Sequence, residues 1–172
     1  TNPYGGEKAV NRDTQFETYF PRELFSQRRE FGGSFEPDRH DNAWYQFGAA
    51  GLTFLILSLE FHPRDEILAW ANKIVSDHPD HRVIVLTHTY MDSDATRSRQ
   101  EANIDGNDGE EMWQRFVRKH ENIFMVLCGH HFGEATVTSI GDHGNPVHQL
   151  LSDFQDFDDG GESWLRYMVF QP

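Results

Sequence analysis

Residues 82–88 read Arg82-Val83-Ile84-Val85-Leu86-Thr87-His88, an apolar, β-branched run that ends on a threonine and a histidine. Positions 83–86 are all apolar, so neither parity is reserved for water. Such a run is expected of a central strand buried on both faces. Two other stretches share the pattern. Leu52-Thr53-Phe54-Leu55-Ile56-Leu57-Ser58-Leu59 is apolar on both parities, and Ile123-Phe124-Met125-Val126-Leu127-Cys128 leads into Gly129-His130-His131. Between the first two, Ile67, Trp70, Ala71 and Ile74 recur at helical spacing. Pro63 suits a first helical residue there, Asp65 and Glu66 suit a first turn, and Pro79 closes the segment. Strand, helix, strand in this order predicts a right-handed parallel crossover.

Outward from this core the pattern weakens. Asp108 with Glu111 three residues on predicts a capping box opening a helix whose apolar face holds Met112, Trp113, Phe116 and Val117. Glu134 to Ile140, Val147 to Leu151 and Trp164 to Phe170 read as short antiparallel strands joined by Gly, Asn and Asp turns. Upstream, residues 1–43 are rich in turn formers, with a short amphipathic piece around Asp13 to Phe20 and loops at Gly32-Gly33-Ser34 and Pro37-Asp38. Trp44 to Phe47 reads as a short strand, and Gly48-Ala49-Ala50-Gly51 as a turn between strands, since no lysine follows as in a phosphate-binding loop. The expected class is α/β: an irregular lead-in (1–43), a parallel strand–helix–strand core (44–131) and an antiparallel tail (132–172).

The 172 residues are the size of one domain, and 37% hydrophobic with 13% aromatic residues suffices for a core. With 15 Lys and Arg against 28 Asp and Glu, the formal charge is −13. Nucleic-acid affinity comes mainly from neutralising phosphates, so nucleic acid is an excluded partner. An anionic membrane surface is excluded for the same reason. Cys128 is the one cysteine, so an internal disulfide and a cysteine-based zinc site are both ruled out. The run Leu52–Leu59 is too short to span a bilayer. Thr1-Asn2-Pro3-Tyr4-Gly5-Gly6 reads as the interior of a longer chain; secretion or a periplasmic location is compatible with this, and the compartment stays open.

The chemistry concentrates where two of the strands end. In open α/β sheets ligands bind at the carboxyl ends of parallel strands. If the strands ending at Thr87 and Cys128 share a sheet, His88 and His130 project over one edge, where neutral imidazoles suit Zn, Mn or Fe. Gly129 is expected to let the backbone turn sharply there. The plain alternative is that each histidine is a satisfied polar residue at a strand end. His131 would point the other way in a regular strand, and is the third candidate ligand. Asp92, Asp94 and Arg97 follow His88 on a loop, as lining for a substrate cleft or as solvated loop residues. Asp142 and His143 are further cleft candidates. Asn103, Asp105, Asn107 and Asp108 have the composition of a calcium loop without EF-hand spacing.

Val83-Ile84-Val85-Leu86-Thr87-His88-Thr89-Tyr90 and Leu127-Cys128-Gly129-His130-His131-Phe132-Gly133 together resemble the C-terminal half of a calcineurin-like metallophosphoesterase domain. The stretches Leu57-Ser58-Leu59-Glu60-Phe61 through Trp70-Ala71 and Gly141 through Gln155 are similar to one large subgroup of it. The resemblance implies a layered α/β fold and hydrolysis of phosphate esters by two divalent ions about 3.5–4 Å apart, which activate a water for in-line attack. It assigns His88 and His130 to one metal. Phe132 stands where the second histidine of a Gly-His-x-His block is expected. The earlier blocks are not present as an ordered set: Gly-Asn-His-Asp/Glu does not occur in this sequence, Asp-x-His is matched only by Asp38-Arg39-His40 in the irregular lead-in, and Gly-Asp-x-x-Asn only by Gly141-Asp142-His143-Gly144-Asn145, after the histidine blocks rather than before them. The expected reading is therefore a truncated or decayed phosphoesterase piece, with metal weakly held or absent and little activity alone. Phosphate ion or a small phosphate ester would be its ligand if the site were complete. The rival reading is a non-catalytic domain that self-associates, as a homodimer, or pairs with a partner through an exposed sheet edge. A serine or cysteine hydrolase at Ser58 or Cys128 is a weak third choice, lacking a nucleophile elbow.

Overall fold

The computed structural model describes residues 15–99 and 105–170. Their strands are β1 Phe31–Ser34, β2 Ala43–Ala49, β3 Leu52–Leu59, β4 Arg82–Thr87, β5 Ile123–Cys128, β6 Gly133–Ile140 and β7 Pro146–Asp153, in one sheet of order β1-β2-β3-β4-β5-β7-β6. The central β3, β4, β5 and β7 are parallel; β1 and β2 at one side and β6 at the other are antiparallel. Single helical turns α1 (Phe16–Tyr19) and α2 (Glu23–Ser26) precede the sheet. The longer helices are α3 (Asp65–Asp77), crossing from β3 to β4, and α4 (Gly109–Arg115), leading to β5.

Periodicity explains why α3 and α4 lie where they do. Ile67, Leu68, Ala71 and Val75 form one stripe of α3, and Met112 and Trp113 with Phe116 and Val117 form that of α4 and its 3₁₀ extension. Both stripes bury against Leu55, Leu57, Val83, Val85, Val126 and Leu151 of the parallel strands. A fully buried aliphatic side chain contributes about 1.5–3 kcal/mol, so this layer is the principal stabilising unit. The expected capping box is present: Asp108 accepts from Glu111 N–H at 2.8 Å, and Glu111 accepts from Asp108 N–H at 3.1 Å. The β2–β3 hairpin turns at Ala50 and Gly51, both at positive φ (51° and 77°), the type I′ pattern that matches strand twist.

The structure corrects several expectations. The tail is not an antiparallel appendage: β7 pairs in parallel with β5, Met125 opposite His148 through Cys128 opposite Leu151, because Val147, Gln149 and Leu151 are buried in the core. Trp164 to Phe170 forms no strand among the described residues. No strand there pairs with it, and Tyr167 is 82% exposed. Gly32-Gly33-Ser34, expected as a loop, is part of β1, because Gly32 lies against the Trp44 ring and leaves no room for a Cβ. Pro63 precedes the helix, which begins at Asp65 after Arg64. The amphipathic piece at Asp13–Phe20 shrinks to α1; its first two residues lie outside the described residues, as do Thr1–Gly6 and Asn103.

Burial on both faces holds for β5, where Ile123, Phe124, Met125 and Val126 are all buried, but not for β3 and β4, whose buried residues alternate with half-buried or exposed ones. Helices α3 and α4 lie on one face; on the other, Phe47 stacks on Phe54 at 5.3 Å, Phe54 meets Phe124 at 6.3 Å, and Phe124 meets Phe170 at 6.2 Å. Leu86, at the middle of this second face, is 43% exposed. Among the described residues no helix is long and apolar enough to cross a membrane.

Candidate functional site

The parallel register places the ends of β4 and β5 side by side, Val85 opposite Val126 and Leu86 opposite Leu127. Gly129 N–H then donates to the His88 carbonyl at 3.1 Å, extending the ladder one step past the strands. The turn that follows is tight. His131 N–H donates to the Gly129 carbonyl at 2.9 Å across His130, whose φ is +70°. This is a γ-turn of the rarer, positive-φ kind. Such a conformation costs on the order of 1–3 kcal/mol for a residue with a side chain and persists where its surroundings hold it. The sharp bend expected at Gly129 is thus carried by His130 and by Gly133 at φ +113°, whereas Gly129 is absent from the positive-φ residues.

The turn folds the His130 ring back onto His88. His130 Nδ1 and His88 Nε2 are 2.9 Å apart, with ring centroids at 4.8 Å. A hydrogen bond at this distance needs one of the two nitrogens to donate and the other to accept. Two nitrogens each about 2.0–2.1 Å from a single zinc at the tetrahedral angle stand roughly 3.3 Å apart. The pair is therefore within a few tenths of an ångström of the spacing for two ligands of one ion, once the proton between them leaves.

The other expected residues fall elsewhere. His131 Nδ1 faces Asp92 Oδ1 at 3.2 Å, and its Nε2 is buried with no hydrogen-bond partner among the described residues. Asp92 reaches it from a hairpin closed by Asp92 N–H to Thr96 carbonyl, 2.9 Å, and by the Met91–Arg97 bridge. Asp94 serves that hairpin. It accepts from Thr96 N–H and Oγ1, and these bonds hold its carboxyl below the usual range. Arg97, a cleft candidate, instead points into the protein. Its guanidinium donates to Gln149 at 3.0 Å, Glu110 at 3.0 Å and Ser139 at 2.8 Å, and lies 4.2 Å from the Trp113 ring. Asp142 and His143 are not at the histidine edge. Asp142 pairs with Arg118 at 2.7 Å and His143 Nε2 lies 3.1 Å from the Lys119 carbonyl, both before β5 begins. A strand of six residues rising ~3.3 Å per residue puts them roughly 20 Å from the carboxyl edge.

Three residues at this edge escaped the sequence reading as site components. Phe61 packs against both histidines, Glu60 beside it is buried, and Asp153 ends β7 with Oδ2 4.0 Å from where a Cβ on Gly129 would stand. Glu60 follows an apolar strand directly, just as Thr87-His88 does, so the same strand-end rule would have found it. Asp153 required recognising β7 as a parallel strand. Among the described residues no group of three or more His, Cys, Asp or Glu side chains is placed to hold a metal ion. The two histidines fit as ligands, and a complete centre is not formed by these residues.

An open cavity of about 510 Å³ lies beside α3 and α4, lined by Arg64, Asp65, Glu66, Asp105, Asn107, Glu111 and Arg115. His88 and His130 do not line it. Its cations are already neutralised: Arg64 contacts Glu60, Glu36 and Glu66, and Arg115 contacts Asp65 and Glu111.

Cys128 is buried, and its thiol donates to the Leu150 carbonyl at 3.6 Å. Burial pushes its thiol up to about 11 from an ordinary value near 9, against an opposing pull from the Met91 and Tyr90 N–H groups. At pH 8 its thiolate fraction falls about a hundredfold, so iodoacetamide labelling timed by mass spectrometry should be slower by at least that factor than in the urea-unfolded chain. The sign for stability follows. The fold favours the neutral thiol, so this contribution is complete below pH 9 and is lost as pH rises through about 11.

No protein-family model matches the chain. Over 161 residues, 90% of its length, it is 29% identical to an uncharacterized protein of Bacillus subtilis (strain 168), YvnB. The matched stretch is 12% of that protein, so the chain spans about an eighth of the relative's length. The fold is a mixed parallel and antiparallel α/β sheet with helices.

Proposed function

We propose that this chain supplies a two-histidine portion of a divalent-metal centre for phosphate-ester hydrolysis. One observation carries the proposal: His88 Nε2 and His130 Nδ1, 42 residues apart in sequence, meet at 2.9 Å on the carboxyl edge of parallel strands. The phosphate-ester class rests on the resemblance of residues 83–90 and 127–133. Zn, Mn and Fe all suit imidazole donors. Such an ion, when bound, polarises a phosphoryl oxygen and activates water. The chain's own residues present the two lone pairs, hold His131 against Asp92, and shield the pair on one side with Phe61. Phe132, beside them, offers no ligand atom.

With no third ligand among the described residues, little turnover is expected from this chain alone. Isothermal titration with Zn²⁺ or Mn²⁺ should show weak, near-stoichiometric binding that the pair His88→Ala and His130→Ala abolishes, because it removes both ligands that the described residues supply. Metal binding untouched by the double substitution would overturn the assignment. Metal-dependent hydrolysis of a phosphate monoester or diester at ordinary enzyme rates would overturn the incompleteness.

A specific observation also favours the second reading, an interaction domain. Helices α3 and α4 pack on the first sheet face, and Leu165, Tyr167 and Val169, in the segment whose Phe170 meets Phe124 on the second face, are strongly exposed. Soluble monomers rarely expose large contiguous apolar patches.

A further inference from the structure

We propose that Phe61 is the positioning residue of the histidine pair, and that a part-buried ion-pair network centred on Glu60 holds Phe61 in place. Phe61 meets His88 edge-on, with centroids 5.2 Å apart at 86°, and meets His130 at 5.1 Å and 45°. The imidazoles are themselves 4.8 Å apart, so the three rings form a near-equilateral triangle. Each imidazole is thereby packed on two sides by rings. Rings in edge and tilted contact at this range attract one another, and a ring held by two others loses its freedom to rotate away.

Phe61 in turn sits on a segment anchored on both sides. Before it, Glu60 N–H donates to Asn42 Oδ1, and Asn42 Nδ2 donates back to Glu60 Oε2, both at 2.9 Å. Arg64 Nε donates to Glu60 Oε1 at 2.9 Å, and its Nη2 bridges to Glu36 at 2.7 Å. Thr87 Oγ1 donates to the Glu60 carbonyl at 3.4 Å, which ties this turn to the residue immediately before His88. After it, Asn107 N–H and Nδ2 both donate to the Pro63 carbonyl. A charged network at a strand end has a heavy desolvation cost, and its placement one residue from the aromatic wall gives it a structural purpose.

The consequence for metal binding rests on the proposed metal reading; the positioning itself does not. The test therefore has two arms on the whole chain. In the metal-free protein, nuclear Overhauser contacts from the Phe61 ring should reach carbon-bound protons of both imidazoles. Long-range ¹H–¹⁵N spectra should show a hydrogen-bonded His88–His130 nitrogen pair. Phe61→Leu should average that pattern away, and Phe61→Tyr should retain it, with the thermal midpoint of each variant followed alongside. In the second arm, zinc affinity should fall roughly tenfold in Phe61→Leu and return in Phe61→Tyr, the scale of losing an outer contact that orients a ligand. Absence of the Overhauser contacts in the unsubstituted chain overturns the proposal without any variant. So does an imidazole pattern unchanged in Phe61→Leu. An imidazole pattern that responds to Phe61 in a chain that binds no zinc supports the positioning and overturns the metal reading.

Discussion

Glu60→Ala is expected to lower the unfolding free energy by roughly 3–5 kcal/mol, the scale of removing one partner from a buried ion pair. The Glu60 side chain is 5% exposed, and its carboxylate accepts from Asn42 and from three nitrogens of Arg64, the backbone N–H, Nε and Nη2. Truncation leaves the fully buried Asn42 amide without this acceptor and leaves Arg64, among the described residues, with Glu36 and Glu66 as its carboxylate partners. Arg64 retains 32% exposure, so water recovers part of the loss and the lower end of the range is expected. Urea unfolding reads the effect as a fall in midpoint at unchanged slope. A fall equivalent to less than about 1 kcal/mol would mean that the network contributes little to stability, as solvated pairs do.

Gly109→Ala is the second large effect. Gly109 opens α4 under the Asp108 cap, where alanine is ordinarily the better helix former. Here a Cβ would run into the Tyr90 carbonyl oxygen and would lie 2.8 Å from Ser98 Oγ. Backbone must move, because Tyr90 is fully buried and its carbonyl already accepts Ser98 N–H at 3.0 Å. Overpacking of this kind costs about 1–3 kcal/mol, and the upper end is expected since the obstacle is main chain. The displaced element is the hairpin that carries Asp92 to His131, so amide exchange should quicken across residues 90–98 before it does in β4. A melting temperature equal to or above that of the unsubstituted chain would show that the hairpin gives way freely.

Much of the architecture was legible in local patterns. The runs Arg82–Thr87 and Ile123–Cys128 are strands, the stripe Ile67–Ala71 faces the core, and Asp108 caps a helix through Glu111. These depend on side-chain periodicity and on hydrogen bonds between residues three apart. The strand-end rule likewise brought out His88 and His130, since a polar residue following a buried strand must emerge at the sheet edge. Arg97, Asp142 and His143 were cleft candidates from their place on loops, and their positions depend on partners far along the chain: Gln149 for Arg97, Arg118 for Asp142, and the Lys119 carbonyl for His143.

The sequence by itself therefore determined the α/β class, the helix that crosses from β3 to β4, and the two strand ends at which histidines stand. Only the tertiary structure decided that those histidines touch, that β7 lies parallel to β5 with Asp153 at the same edge, and that Phe61 closes a triangle of rings on them. The physical reason is register. Periodicity says which face a residue takes, and that is a local property. The meeting of His88 with His130 depends instead on Leu86 lying opposite Leu127 and on a backbone bend at His130, both imposed by packing between segments some forty residues apart.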